Sequence, residues 1–218
     1  MPHALIIGAS RGLGLGLVRE FAGRGWAVTG TVRRPEDAAQ VIDAGGLAAL
    51  MDMIDAGSIA ALHAVTPGPL DLLFVNAGIS APQLDGVGAG ALGTLFMTNA
   101  VAPVQVARLF LDRMAPDGVI AFMSSRMGSV ALNDRGDIEL YRASKAALNS
   151  MTRSMVAQLD RPMAVLTLHP GWVQTDMGGA HADLDVPTSV RGLADVVIAH
   201  RGRPGSAFLD YTGAELAW

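Results

Sequence analysis

The only lysine in the chain, Lys145, follows Tyr141 by four residues in the stretch ELYRASKAAL, and Tyr141 is one of only two tyrosines. On a helix, positions i and i+4 share one face. A free phenol has a pKa near 10, too high for acid–base work at neutral pH. A cation about 4 Å away at an effective dielectric near 20 contributes about 4 kcal/mol, or nearly three pH units at about 1.36 kcal/mol each. Lys145 is therefore expected to bring the pKa of the Tyr141 phenol down toward neutral pH. Arginine is used everywhere else that a base is needed. Its planar fork is a poor substitute where a compact point charge is required. Ser125 and Asn99 are the other polar candidates for the same chemistry, and both stand next to apolar runs.

The elements that must position these groups are short apolar runs alternating with helical stretches. The runs are ALII (4–7), WAVTGTV (26–32), LAALMDM (47–53), LDLLFVNAG (70–78), GVIAFMSS (118–125), MAVLTLHP (163–170) and SAFLDYTG (206–213). Helices are expected over PEDAAQVIDAGG and over about 57–65, 91–115 and 140–159. Runs buried on both sides and separated by helices indicate βαβ units and a parallel sheet. The expectation is a three-layer, doubly wound Rossmann fold with about seven mostly parallel strands, built as one domain over 1–218. Ligands of such sheets bind beyond the carboxyl ends of the strands.

The first run opens into GASRGLG, with Gly8, Gly12 and Gly14 spaced G-x3-G-x-G. Glycines there permit a tight turn and let backbone and a helix N-terminus approach a pyrophosphate. At the end of the second run, where an NAD site carries an acid, the chain has Arg33 and Arg34. Two guanidiniums suit a 2′-phosphate, with Arg11 closing from the other side. NADP(H) is the expected cofactor, ahead of NAD(H).

These motifs in order, GASRGLG, VNAG (75–78), Asn99, Ser125, Tyr141-x-x-x-Lys145 and PGWVQTDM (170–177), resemble those of the short-chain dehydrogenase/reductase family. Within it, YRASKAALN, HPGWVQTDMGG and FLDYTGAELAW are similar to the C-factor and sniffer-type carbonyl reductases. The resemblance implies an NADPH-dependent reductase acting on a carbonyl or alcohol. In it Tyr141 is the acid–base group, and Lys145 lowers its pKa and binds the nicotinamide ribose. Ser125 bonds the substrate oxygen, and Asn99 holds a water of a proton relay. Gly8, Ser10, Arg11, Gly12, Leu13 and Gly14 line the pyrophosphate and adenosine end, with Asp52 and Met53 near the adenine. Asn76, Ala77 and Gly78 pass the adenine ribose, and Pro170, Gly171, Val173 and Thr175 fix the carboxamide. The resemblance also implies a homodimer or homotetramer assembled through the helices at 91–115 and 140–159.

Several features depart from the family pattern. Val75 precedes Asn76 where a second asparagine is frequent. Ser125 and Tyr141 are 16 residues apart, with the extra length in SVALNDRGDIEL. Ser124 competes for the serine role, but S-x-x-G to Gly128 favours Ser125. Any substrate lid over about 177–189 is small.

Composition excludes other classes. A formal charge of −4 with no basic block argues against a nucleic-acid partner. The absence of cysteine removes thiolate chemistry, disulfides and Cys-held metals. His3, His63, His181 and His200 lack ligand spacing and His169 reads as a strand-end residue, so no metal site is expected. With no leader pattern or membrane span evident, a cytoplasmic location is expected. Two other functions stay open: an NADP(H)-binding regulatory or signalling protein with little turnover and, more weakly, an epimerase or dehydratase on a nucleotide sugar. The quartet Ser125, Tyr141, Lys145 and Asn99 favours the enzyme, since a sensor needs none of the four.

Overall fold

The computed structural model describes residues 1–81 and 83–218. Its strands are β1 (His3–Ile7), β2 (Ala27–Val32), β3 (Leu47–Leu50), β4 (Leu70–Val75), β5 (Met114–Met123), β6 (Ala164–His169) and β7 (Gly205–Asp210). The helices are α1 (Gly12–Gly23), α2 (Ala38–Asp43), α3 (Ala56–Val65), α4 (Ala89–Phe96), α5 (Ala102–Leu109), α6 (Glu139–Val156) and α7 (Val186–His200). All pairings in the seven-stranded sheet are parallel, in the order β3-β2-β1-β4-β5-β6-β7.

Strand alternation explains the two layers. Ala4 and Ile6 of β1 face one core with α1, α2 and α7, and Leu5 and Ile7 face another with α3, α5 and α6. Each central strand presents apolar side chains to both, which is why these runs are continuously hydrophobic rather than alternating. The sheet winds in opposite directions from the β1–β4 pair, and a crevice opens there at the strands' carboxyl ends.

Several boundaries differ from expectation, and those nearest the crevice matter most. β3 ends at Leu50, which places Asp52 and Met53 in the loop beyond it. β4 ends at Val75, freeing Asn76–Gly78, and β5 ends at Met123, freeing both serines. The helix expected over 91–115 runs over Ala89–Arg113 in four pieces, α4, a π turn (Met97–Val101), α5 and a 3-10 turn (Phe110–Arg113). This stretch is long and apolar enough by composition to cross a membrane. In the fold, half of its most apolar window is buried, much of it against the sheet through Ala102, Val104, Val106, Ala107 and Phe110.

The helix α7 was not anticipated at all. Its start is marked by Asp185, whose carboxylate accepts from Thr188 N at 2.8 Å, and by a proline in the first turn. Val190, Leu193, Ala194 and Val197 then recur at helical spacing and face the α1 side of the sheet. The segment 170–185 before it is a packed loop, held by Leu184 N to Trp172 O at 3.0 Å and Gln174 N to Leu184 O at 2.8 Å.

Candidate active site

The crevice is a cleft of about 660 Å³ at the carboxyl ends of β1, β2, β4, β5 and β6. At its centre the first βα turn is built by close backbone approach. Gly8 has φ +84, and a Cβ there would lie 2.6 Å from that of Ala77. Its N–H donates to Thr31 Oγ1 at 2.9 Å, and its carbonyl accepts from Asn76 Nδ2 at 2.7 Å. A Cβ on Gly14 would collide with Gly8 O and come within 2.6 Å of Asn76 Nδ2. Thus VNAG and the glycine loop form one interlocked unit. No side chain caps α1, whose N-cap residue is Arg11. Its first-turn N–H groups are left for an anion, with Ser10, Gly12 and Leu13 lining the cleft beside them.

The arginines do not behave alike. Arg34 is engaged by Asp37 at 3.0 Å and Glu36 at 3.6 Å. Arg11 reaches across to Asp176 at 2.7 Å, a pair exposed on both sides and of little energetic weight. Arg33 lines the cleft and, among the described residues, makes no ion pair. Of the three guanidiniums expected around a 2′-phosphate, Arg33 is the one free to meet it without giving up a partner. Asp52, Met53, Asn76, Ala77, Gly78, Pro170 and Thr175 also line the cleft. Gly171 and Val173 do not. Gly171 has φ +83 against Leu184, and Val173 is buried in a bridge to Leu184, so both shape the loop from behind.

The acid–base groups lie deeper. Tyr141 and Lys145 both line the cleft from α6, as their spacing requires. Lys145 is 3% exposed, and its ammonium donates to Met123 O at 2.9 Å. Its Nζ lies 5.8 Å from the Tyr141 ring centroid. Here the expected electrostatics are reversed. Burial pushes the phenol up to about 12 and the lysine down to about 8. Lys145 is stripped of water and Tyr141 is partly so, and desolvation disfavours the charged form of each. In this setting the Tyr141 phenol holds its proton through the neutral range.

Asn99 lies in the π turn and is fully buried. It accepts from Ile79 N at 2.8 Å and donates to Ile79 O at 2.9 Å and to Ser144 Oγ at 3.1 Å. Both amide protons are thereby committed, which leaves one acceptor site on Oδ1 for a relay. A Cβ on Gly78 would stand 3.4 Å from that oxygen and 3.5 Å from Lys145 Nζ, so the three groups converge. The two serines are also separated by their bonds. Ser124 is 2% exposed and its hydroxyl is spent on Asn149 Oδ1 at 2.7 Å. Ser125 is half-buried and accepts from Met127 N at 3.1 Å, which leaves its own proton to give. Ser124 rather than Ser125 borders the cleft, yet only Ser125 has a donor to spare. Sequence reasoning missed Asn149 and Ser144, the polar residues that brace this region; both fall on the α6 face that carries Tyr141 and Lys145.

The sequence profile of the short chain dehydrogenase family matches residues 2–184. The C-signal protein of Myxococcus xanthus is 42% identical over 160 residues, 71% of this chain and 96% of the relative. A carbonyl reductase from Pseudomonas aeruginosa, solved in complex with NADP, superposes with a TM-score of 0.92 at 39% identity, covering all of both chains. The carbonyl reductase Sniffer of D. melanogaster superposes with a TM-score of 0.88 at 32% identity, again over all of both chains. With a Rossmann-like seven-stranded sheet, an interlocked glycine turn and Tyr141 and Lys145 on one helix face, the chain belongs to the short-chain dehydrogenase/reductase family of oxidoreductases.

Proposed function

We propose that the protein is an NADPH-dependent carbonyl reductase, reducing an aldehyde or ketone to an alcohol. The observation that carries this reading is the half-buried phenol of Tyr141, which lines the cleft beside the buried Lys145 on one face of α6. A phenol that keeps its proton throughout the neutral range suits donation to a developing alkoxide better than abstraction from an alcohol. The residues present fit a dinucleotide: Gly8 and Gly14 admit no side chain, the α1 N-terminus is uncapped, and Arg33 is free to take a 2′-phosphate. The cofactor, when bound, supplies the hydride. The chain's own residues do the rest. Ser125 donates to the carbonyl oxygen, Tyr141 gives that oxygen its proton, and the Lys145 ammonium stabilises the phenolate left behind. Asn99 braces the floor of the site and offers Oδ1 to a proton relay. NADP-bound and carbonyl-reducing relatives support the same assignment. In this reading the protein acts as a single 1–218 domain in the cytoplasm on a small-molecule carbonyl, as a homodimer or homotetramer.

The test is NADPH oxidation, followed by absorbance, against a panel of aldehydes, ketones and quinones, with product identification. Turnover that yields the alcohol supports the reading; inertness toward the whole panel, with NADPH bound, would sink it. A second reading, an NADP(H)-binding signalling protein, is favoured by the similarity to the C-signal protein. It predicts that inert outcome.

A further inference from the structure

Tyr141, Lys145 and Asn149 succeed one another at four-residue intervals along one ridge of α6. Tyr141 and Lys145 serve the cleft directly. Asn149 is 3% exposed, and both ends of its amide are used across the same gap. Its Oδ1 accepts from Ser124 Oγ at 2.7 Å and its Nδ2 donates to Gly128 O at 3.1 Å. Those two partners bracket Ser125. One is the residue before it, the other closes the single 3-10 turn (Arg126–Gly128) that Ser125 caps. The turn sits directly on the helix. A Cβ on Gly128 would lie 3.0 Å from Asn149 Nδ2 and 3.0 Å from the backbone carbon and Cβ of Lys145. One turn earlier, Lys145 Nζ holds Met123 O. The end of β5 is therefore fastened to the Tyr141 helix at residues 123, 124 and 128.

We propose that Asn149 is a positioning residue that holds the Ser125 turn, and with it the Met123 carbonyl that receives Lys145, in register with Tyr141. Its kinetic consequence rests on the carbonyl-reductase reading. An amide suits the task because one end must accept from a hydroxyl while the other donates to a carbonyl. Aspartate keeps the first bond and sets a carboxylate against the Gly128 carbonyl. Leucine has similar volume and makes neither bond. Two hydrogen bonds to neighbouring loop residues convert a flexible return into a fixed one. A reacting group displaced by about 1 Å loses on the order of a hundredfold in rate.

The experiment compares the unmutated protein with Asn149→Asp and with the double variant Ser124→Ala/Asn149→Leu. The double variant removes both partners of one bond, so it leaves no buried hydroxyl without its acceptor and is expected to fold. The first readout is hydrogen–deuterium exchange at the Met127 and Gly128 amides, which needs no substrate. The second is phenanthrenequinone reduction, with kcat and the NADPH Kd measured separately. The expected result is faster exchange at those amides, a fall in kcat of at least about tenfold, and an NADPH Kd within about twofold of unmutated. Unchanged exchange in both variants would overturn the proposal, and so would faster exchange with unchanged kcat. If the unmutated protein reduces no carbonyl, it is the proposed function that fails, and the exchange data alone decide whether Asn149 holds the turn. If the double variant does not fold, Asn149→Asp answers by the same two readouts.

Discussion

Replacing Lys145 by methionine is expected to change how stability depends on pH, in a window set by the lysine's own burial. In the folded protein Lys145 titrates at about 8 against an ordinary value of 10.5. Between those values the unfolded chain holds a proton that the folded chain lacks, so stability rises with pH. The cost of burying the ammonium is thus present in full below pH 8 and is relieved as pH climbs. Tyr141 works in the opposite sense, but later. Its phenol titrates near 10 when unfolded and about 12 when folded, so its contribution erodes stability only above pH 10. From pH 8 to 10 the lysine acts alone of the two. Two pH units at about 1.36 kcal/mol each set a ceiling of about 2.7 kcal/mol, or about 5–10 °C in Tm for a chain of this size. Lys145→Met removes the titrating group and should leave that window flat. At pH 7 it escapes the burial cost but strands Met123 O, a loss of about 1–3 kcal/mol. The slope, rather than the absolute stability, is therefore the diagnostic. Urea unfolding without added cofactor at pH 7, 8, 9 and 10, followed by tryptophan fluorescence, measures it. Parallel curves for the two proteins between pH 8 and 10 would refute the reasoning.

Three further outcomes follow from the site. Arg33→Ala should weaken NADP(H) binding about ten- to a hundredfold, the equivalent of losing a charge-assisted contact of about 1.5–3 kcal/mol, while NAD(H) binding stays put; fluorescence titration showing equal affinities for both cofactors in the unmutated protein would contradict it. Ser125→Ala should lower kcat by about 10²–10³ through loss of a donor to the developing oxyanion, whereas Ser124→Ala should act more mildly. If steady-state kinetics show Ser124→Ala to be the more damaging, the register at the end of β5 is off by one. Gly14→Ala drives a Cβ into Gly8 O and Asn76 Nδ2 and should weaken NADPH binding at least about tenfold; an unchanged Kd by calorimetry would show that the turn tolerates the side chain.

Much of the fold was legible because the central strands are buried on both faces and must be continuously apolar, and the seven apolar runs fall on the seven strands, the exposed edge strand β3 included. Their ends were harder to read. MDM after β3 and NAG after β4 are apolar or small enough to prolong a run, and only the pairing register stops the ladder at Leu50 and Val75. Helix α7 begins inside the stretch of about 177–189 expected as a small lid, with Pro187 in its first turn. The proline sits where a helix begins rather than where one breaks, with Asp185 as its cap. The π turn around Asn99 has no signature in sequence; in the fold it carries the amide that fastens Ile79 on one side and Ser144 on the other. The pairing of Tyr141 with Lys145 was read correctly as one helix face. Its electrostatics were not, because spacing locates a charge without revealing how much water surrounds it. Burial at that depth outweighs a cation 5.8 Å from the ring centroid. For the arginines, sequence supplied the cluster, and only the structure separates Arg33, free of ion pairs, from Arg34 and Arg11, each held by an acid.

The central claim, that Tyr141 delivers the proton to a carbonyl oxygen, is tested most directly by Tyr141→Phe in NADPH-dependent phenanthrenequinone reduction. Phenylalanine keeps the ring in its place on α6 and removes only the acidic hydroxyl. The account predicts a fall in kcat of about 10²–10⁴, the range for loss of a positioned general acid, with NADPH binding retained. It also predicts that the unmutated rate declines as pH rises through about 8, where Lys145 loses its proton. Turnover by Tyr141→Phe within about tenfold of the unmutated enzyme would contradict the account.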